Sequence, residues 1–103
     1  MMTERPVDRK SGTEAEKLLR QRVSEGRVRL SKHFRDRLED RRCSVEDALA
    51  AIAKGAVYAE PELDVRTGDW NYRIEGNDLA GRAMKILFCF KPEGIALLIT
   101  VMN

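Results

Sequence analysis

The sequence predicts a single α+β domain in which two to three N-terminal helices pack on one face of a C-terminal antiparallel sheet of about four strands. Three observations predict it. Apolar residues recur at helical spacing as far as Lys54, then alternate with polar ones beyond Gly55. Helices precede strands instead of alternating with them, which is the order of an α+β fold. The chain has 103 residues, enough for one core and too few for a second domain or a deep cofactor cavity, so no cofactor is expected.

Residues 1–12 are expected to form a flexible N-terminal tail, because the stretch from Met1 to Lys10 lacks apolar periodicity and holds Pro6; residues 13–103 then form the domain. From Thr13, the residues Ala15, Leu18, Leu19 and Val23 recur at helical spacing, Ser11 or Thr13 can cap, and Gly26 sits where a helix would stop. After a short connection from Arg27 to Leu30, Ser31 can cap a second helix with apolar members Phe34 and Leu38, running to about Arg41. Ser44 with Asp47 reads as a capping box. The stripe Val45, Ala48, Leu49 and Ile52 then predicts a third helix, stopped at Lys54 and Gly55.

Beyond Gly55 the period becomes two. Ala56 to Ala59 reads as a short strand ended before Pro61, and Val65 to Glu75 as a longer one. Gly76 to Gly81 is a turn, and Arg82 to Phe90 and Ile95 to Met102 are two strands joined by a hairpin at Lys91, Pro92, Glu93 and Gly94. Alternation directs Trp70, Tyr72, Ile74, Met84, Ile86, Phe88, Ile99 and Val101 towards the helices. It leaves Asn71, Arg73, Lys85, Leu87, Cys89, Leu98, Thr100 and Met102 on the opposite face.

Charge is concentrated. The formal net charge is only +2, yet between Arg27 and Arg42 seven basic residues face three acidic ones, Asp36, Glu39 and Asp40. Such a cluster attracts a polyanion locally, since its field is felt over about 8–10 Å in physiological salt. No stretch approaches the roughly 20 apolar residues of a membrane span, and no apolar h-region opens the chain; a cytoplasmic location with no membrane partner is the expectation. Cys43 and Cys89 lie far apart, outside any CxxC or Cys/His cluster, and read as packing residues. Phosphate-binding glycine loops, nucleophile elbows and metal-ligand spacings are all missing, so any chemistry is expected to be metal-free.

The single histidine, His33, lies on the second helix four residues before Arg37 and eight before Arg41, so an imidazole and two guanidiniums share one helical row. That row suits phosphate, with His33 as general acid or base. Arg73 and Lys85, on neighbouring strands, form a second cationic group able to stabilise the charge that develops on a phosphorane-like transition state. Trp70 and Tyr72 are of the type that stacks on bases, although aromatics at alternating spacing are more often core.

The segment LSKHFRDRLEDRRCSVEDALAAI from Leu30, followed by GDWNYRIEG, GRAMKILFCF and a final LLITV, resembles a family of small bacterial proteins grouped with RelE-like and MqsR-like toxins and colicin-type ribonuclease domains. The resemblance covers roughly Gly26 to Met102. It rests on His33, Arg37 and Arg41, on Tyr72 in a strand, on Gly81 with Arg82 entering the next strand, and on Thr100 in a terminal apolar strand. It implies a RelE-like fold, metal-independent RNA cleavage, and a zinc-finger antitoxin as partner.

Two functions follow as expectations. The first is a toxin-like endoribonuclease of a toxin–antitoxin system, acting on free or ribosome-associated RNA by attack of the 2′-hydroxyl on the neighbouring phosphate. His33, Arg37 and Arg73 would be its catalytic residues, Arg41, Arg82 and Lys85 its phosphate contacts, and Tyr72 and Thr100 its supports. The second is a non-catalytic interaction module, or a homodimer, using the mixed polar and apolar sheet face. The first requires His33 and Arg73 to converge on one pocket.

Overall fold

The computed structural model describes residues 6–102. Eight elements follow in the order α1 (Gly12–Ser24), β1 (Val28–Leu30), α2 (Lys32–Asp40), α3 (Val45–Lys54), β2 (Glu62–Leu63), β3 (Trp70–Asn77), β4 (Ala83–Lys91) and β5 (Ile95–Met102). The strands form one sheet in the order β1-β5-β4-β3-β2. All three helices contribute to one core, on one face of that sheet: Ala15 and Leu19 from α1, Phe34 and Leu38 from α2, and Ala48, Ala51 and Ile52 from α3 meet Tyr72, Ile74, Met84, Ile86, Phe88, Phe90, Ala96, Leu98 and Val101. The α+β order is therefore as the sequence predicts.

The helix starts are fixed by side-chain caps. Ser11 Oγ accepts from the Glu14 N–H while Glu14 accepts from the Ser11 N–H, and Ser44 and Asp47 make the same reciprocal pair at α3. Ser31 caps α2 by accepting from the Phe34 N–H at 2.9 Å. Ahead of α1, Val7 packs against the core, the Lys10 N–H donates to the Tyr72 hydroxyl at 2.8 Å, and Arg9 lies over the Trp70 ring and pairs with Glu60. Residues 7–10 thus lie against the domain, while the part of the expected tail at residues 1–5 falls outside the described residues.

The sheet has five strands and is mixed, which corrects the expected antiparallel sheet of about four. The added strand is β1, paired in parallel with β5 through Val28 with Ala96 and Leu30 with Leu98. Three residues are too few for alternation to register in sequence. The short strand expected at Ala56–Ala59 reduces to one bridge between Ala56 and Glu75, and the edge strand β2 forms after Pro61 instead. The long strand expected from Val65 begins only at Trp70, because Asp64 organises a turn: its carbonyl accepts from the Gly68 N–H at 2.7 Å and its carboxylate from the Arg66 N–H at 3.0 Å.

A β-bulge corrects the facing of β5. Leu87 pairs with Thr100 but Phe88 pairs with Leu98, so Ile99 is the extra residue. Alternation restarts there, and Leu98 rather than Ile99 is the buried residue.

A close backbone approach joins α3 to β3. A Cβ placed on Gly76 would lie 2.1 Å from the Ala51 carbonyl oxygen, and one on Gly55 2.5 Å from the same atom. Glycine lets the last turns of the helix lie directly on the strand. Gly76→Ala is expected to cost at least about 2 kcal/mol, as overpacking against immovable backbone does, and to lower the melting temperature by about 10 °C. Calorimetry against the wild type checks both; Gly76 does not have a positive φ, so the loss reports the contact and not a left-handed backbone.

Candidate functional site

β1 covers β5 only from Ala96 to Leu98. Beyond it, on the side where β1 has ended, the backbone carbonyls of β5 would lack partners, and unpaired buried carbonyls are costly. α2 supplies the donors. The Ser31 N–H donates to the Leu98 carbonyl at 3.1 Å and Ser31 Oγ to the Ile99 carbonyl at 2.7 Å. Arg37 Nε donates to the Val101 carbonyl at 3.2 Å. Arg41 reaches the Met102 carbonyl at 3.3 Å and, from Nη2, the Ala83 carbonyl at 3.4 Å.

These bonds fix the helical row expected from the sequence. Phe34 and Leu38 are buried beneath it, Arg37 and Arg41 are half-buried along the strand end, and His33 is exposed at its start. Among the described residues the His33 side chain makes no hydrogen bond or ion pair.

α2 ends in a tight reversal. The Arg42 N–H donates to the Glu39 carbonyl at 3.0 Å and the Cys43 N–H to the Leu38 carbonyl at 2.8 Å, a Schellman closure that places Arg42 in the left-handed region at φ 55°. α1 closes with the same two bonds, from Gly26 to Val23 and from Arg27 to Arg22, but with a glycine at the left-handed position. A side chain there costs about 1–2 kcal/mol that glycine avoids.

The same edge receives Arg82. The Asp78 carboxylate, whose side chain is only 2% exposed, accepts from the backbone N–H groups of Ala80 and Arg82 and from Arg82 Nε at 2.9 Å. Arg82 Nη2 then lies 3.5 Å from Cys43 Sγ. Asp47 steadies this turn from α3: one carboxylate oxygen completes the capping box and the other accepts from the Leu79 N–H at 3.1 Å. Arg37, Arg41, Arg42, Cys43 and Arg82 are thereby held around one end of the sheet.

The remaining expected residues lie elsewhere. Arg73 and Lys85 are on the helix-free face, where Arg73 pairs with Glu62 and Lys85 with Glu75 at 3.8 Å. Thr100 is on that face opposite Leu87. The sheet therefore stands between His33 and Arg73, which corrects the expectation that they converge; in a strand, Arg73 must point away from whatever covers Tyr72 and Ile74. Tyr72 is buried, with its ring stacked on Phe88 at 5.4 Å, and burial pushes its hydroxyl above the usual phenol range. It is a core residue that touches no surface.

Charge compensation separates the two faces. On the helix-free face Arg73, Lys85 and Lys91 each have a carboxylate partner, Glu62, Glu75 and Asp69. Along β1 and α2, none of Arg27, Arg29, Arg35, Arg37 and Arg42 has one within 4.0 Å among the described residues. Where Arg37 is bonded, its partner is a neutral carbonyl, so its charge remains available. Among the described residues no group of three or more His, Cys, Asp or Glu side chains is placed to hold a metal ion.

Sequence reading missed Arg42 and Asp78. The signal for Arg42 was present: only three residues separate the end of α2 from the Ser44 cap, and none is a glycine that could take the left-handed position. Asp78 reads as an ordinary turn residue until the turn's geometry is known.

The hydrogen bonds from Ser44 and Leu79 hold the Asp47 carboxyl below its ordinary range. A depressed carboxyl stabilises the fold above its unfolded pKa, near 4, and that contribution is lost as pH falls through the folded value. Melting temperatures measured between pH 6 and pH 2 are therefore expected to fall more steeply in the wild type than in Asp47→Asn, whose curve starts lower and is flatter below pH 4.

The profile of a family described as a domain of unknown function, DUF4258, matches residues 30–103. That span holds every residue of the basic edge from His33 to Arg82. No curated protein and no solved structure matches the chain.

Proposed function

The chain belongs to the DUF4258 family, and from that premise we propose that it is a toxin-like RNA-binding protein that cleaves RNA without a metal, the 2′-hydroxyl attacking the adjacent phosphate. The observation that carries this reading is the row formed by exposed His33 with Arg37 and Arg41, beside Arg27, Arg29, Arg35 and Arg42, which have no carboxylate partner among the described residues. A polyanion recovers there the Coulomb energy that internal ion pairs consume on the other face. Arg37 is pre-positioned by its bond to β5, so less conformational entropy is lost when a phosphate docks.

In this reading His33 accepts the 2′-hydroxyl proton or donates one to the leaving oxygen, a role worth roughly 10² to 10⁴ in rate. Arg37, Arg41 and Arg82 hold the phosphate and offset the charge that grows on its oxygens. Arg73, Lys85, Thr100 and Tyr72 have no part in it, because they lie on the other face or in the core. The resemblance to RelE-like and MqsR-like toxins supports the same class of activity. It also makes a zinc-finger antitoxin the natural cellular partner, with the cytoplasm as the place of action.

The test is incubation of RNA with the protein in excess chelator, followed by analysis of product ends. Wild type is expected to leave 2′,3′-cyclic phosphates, His33→Ala to lose at least 100-fold in rate, and Arg37→Ala to bind RNA more weakly. RNA that stays intact with the wild type sinks the catalytic reading.

One observation favours a second reading, a docking module or homodimer. The helix-free sheet face carries half-buried Leu87, Leu97 and Met102, and its Arg73, Lys85 and Lys91 are already paired with carboxylates, so covering it strands none of these three cations. If that face pairs two copies, sedimentation reports a dimer and Leu87→Glu gives monomers with an unchanged circular-dichroism spectrum. A wild type that is monomeric at 100 μM removes the homodimer.

A further inference from the structure

Resting on the RNA-binding reading above, we infer that Arg42 is a further RNA-contacting residue of the basic edge, its guanidinium presented to phosphate by the left-handed turn that closes α2. Three independent features of the turn lead there. The first is the backbone. Arg42 is the one non-glycine residue with positive φ among the described residues, whereas Gly26, Gly68, Gly81 and Gly94 occupy the other such positions. The chain ends α1 with the same closure and uses glycine for it, so the arginine at the end of α2 is not dictated by the motif.

The second feature is the side chain. The Arg42 side chain is exposed and makes no hydrogen bond or ion pair among the described residues, so the guanidinium repays none of the backbone cost within the fold. A cation does interact favourably with a helix C-terminus, but Arg37 and Arg41 already stand in or beside the last turn of α2, at positions with ordinary φ. The third feature is place. Arg42 lies between Arg41, which is bonded to the Met102 and Ala83 carbonyls, and Cys43, whose sulfur meets Arg82. A phosphate held by Arg41 and Arg82 has Arg42 as its neighbour along the chain.

The ligand class is the phosphodiester backbone of single-stranded RNA, read without base contacts. The contribution is therefore electrostatic, uniform across sequences and dependent on salt. A site retained for substrate at the expense of the fold has a signature that a structural residue lacks: replacing it by glycine weakens binding without weakening the fold.

The probe is a mixed-sequence RNA oligonucleotide with 2′-O-methyl groups, which cannot be cleaved by 2′-hydroxyl attack, titrated by fluorescence anisotropy from 50 to 300 mM salt. Arg42→Gly is expected to lose about 3- to 10-fold in affinity at low salt and to reduce the log–log salt slope by about 0.7. Its melting temperature is expected to stay level or rise by up to about 8 °C. Arg42→Lys keeps the slope, and Arg42→Ala loses affinity with no gain in melting temperature. Arg42→Gly with unchanged affinity and slope, beside an Arg37→Ala that binds weakly, overturns the assignment and leaves the RNA reading standing. Arg42→Gly that melts below the wild type also overturns it, because the arginine then serves the fold. A wild type that does not bind the oligonucleotide removes the RNA reading and this assignment together.

Discussion

The contact between α2 and the uncovered part of β5 is the constraint on which the rest of the molecule depends. A three-residue β1 leaves β5 without a strand neighbour beyond Leu98. Extending β1 would satisfy that edge with backbone alone; here the chain turns at Ser31 and satisfies it with a hydroxyl and two guanidiniums from a helix. That solution fixes the orientation of α2, buries Phe34 and Leu38, and sets Arg37 and Arg41 at the surface of the sheet end. It also blunts an exposed edge that could otherwise template pairing with another chain. The same side chains thus carry the fold and line the candidate site.

Compensated and uncompensated charge are segregated by the sheet. The helix-free face holds Arg73, Lys85 and Lys91 in ion pairs and carries half-buried Leu87, Leu97 and Met102, which is the arrangement of a surface that tolerates being covered. On the α2 side, Arg27, Arg29, Arg35, Arg37 and Arg42 have no carboxylate partner among the described residues, while Arg82 at the same edge keeps Asp78. Counting charge along the sequence located the excess between Arg27 and Arg42. It could not show that the acids within that segment leave most of the arginines unpaired: among the described residues, Asp36 pairs with Lys32 alone.

Much of the fold was legible because local rules agreed. The Ser44 and Asp47 capping box, the stripe of α3 and the hairpin at Pro92 and Gly94 each carry short-range signals that tertiary contacts did not override. β1 was invisible because three residues have no period, and its parallel partner lies 68 residues away. The bulge at Ile99 was invisible because it exists only in the pairing of β5 with β4 and leaves no mark in the pattern of β5 alone. The site was half legible: i,i+4 spacing correctly put His33, Arg37 and Arg41 in one row. Joining Arg73 to them required the sheet to be transparent, and adjacent strand residues point to opposite sides. The left-handed Arg42 has only one sequence signal, a helix stop without a glycine, and that signal does not say which of Arg41, Arg42 and Cys43 takes the positive φ.

The bonds from Ser31, Arg37 and Arg41 to β5 close loops of 61 to 68 residues. Loop closure of that length comes late in folding, and β5 is synthesised after everything else the edge requires. A nascent chain still short of its last strand can form its helices, yet has nothing to hold the guanidiniums in place. Until translation has passed β5, the polypeptide therefore carries the basic residues without the strand carbonyls that hold their guanidiniums in place.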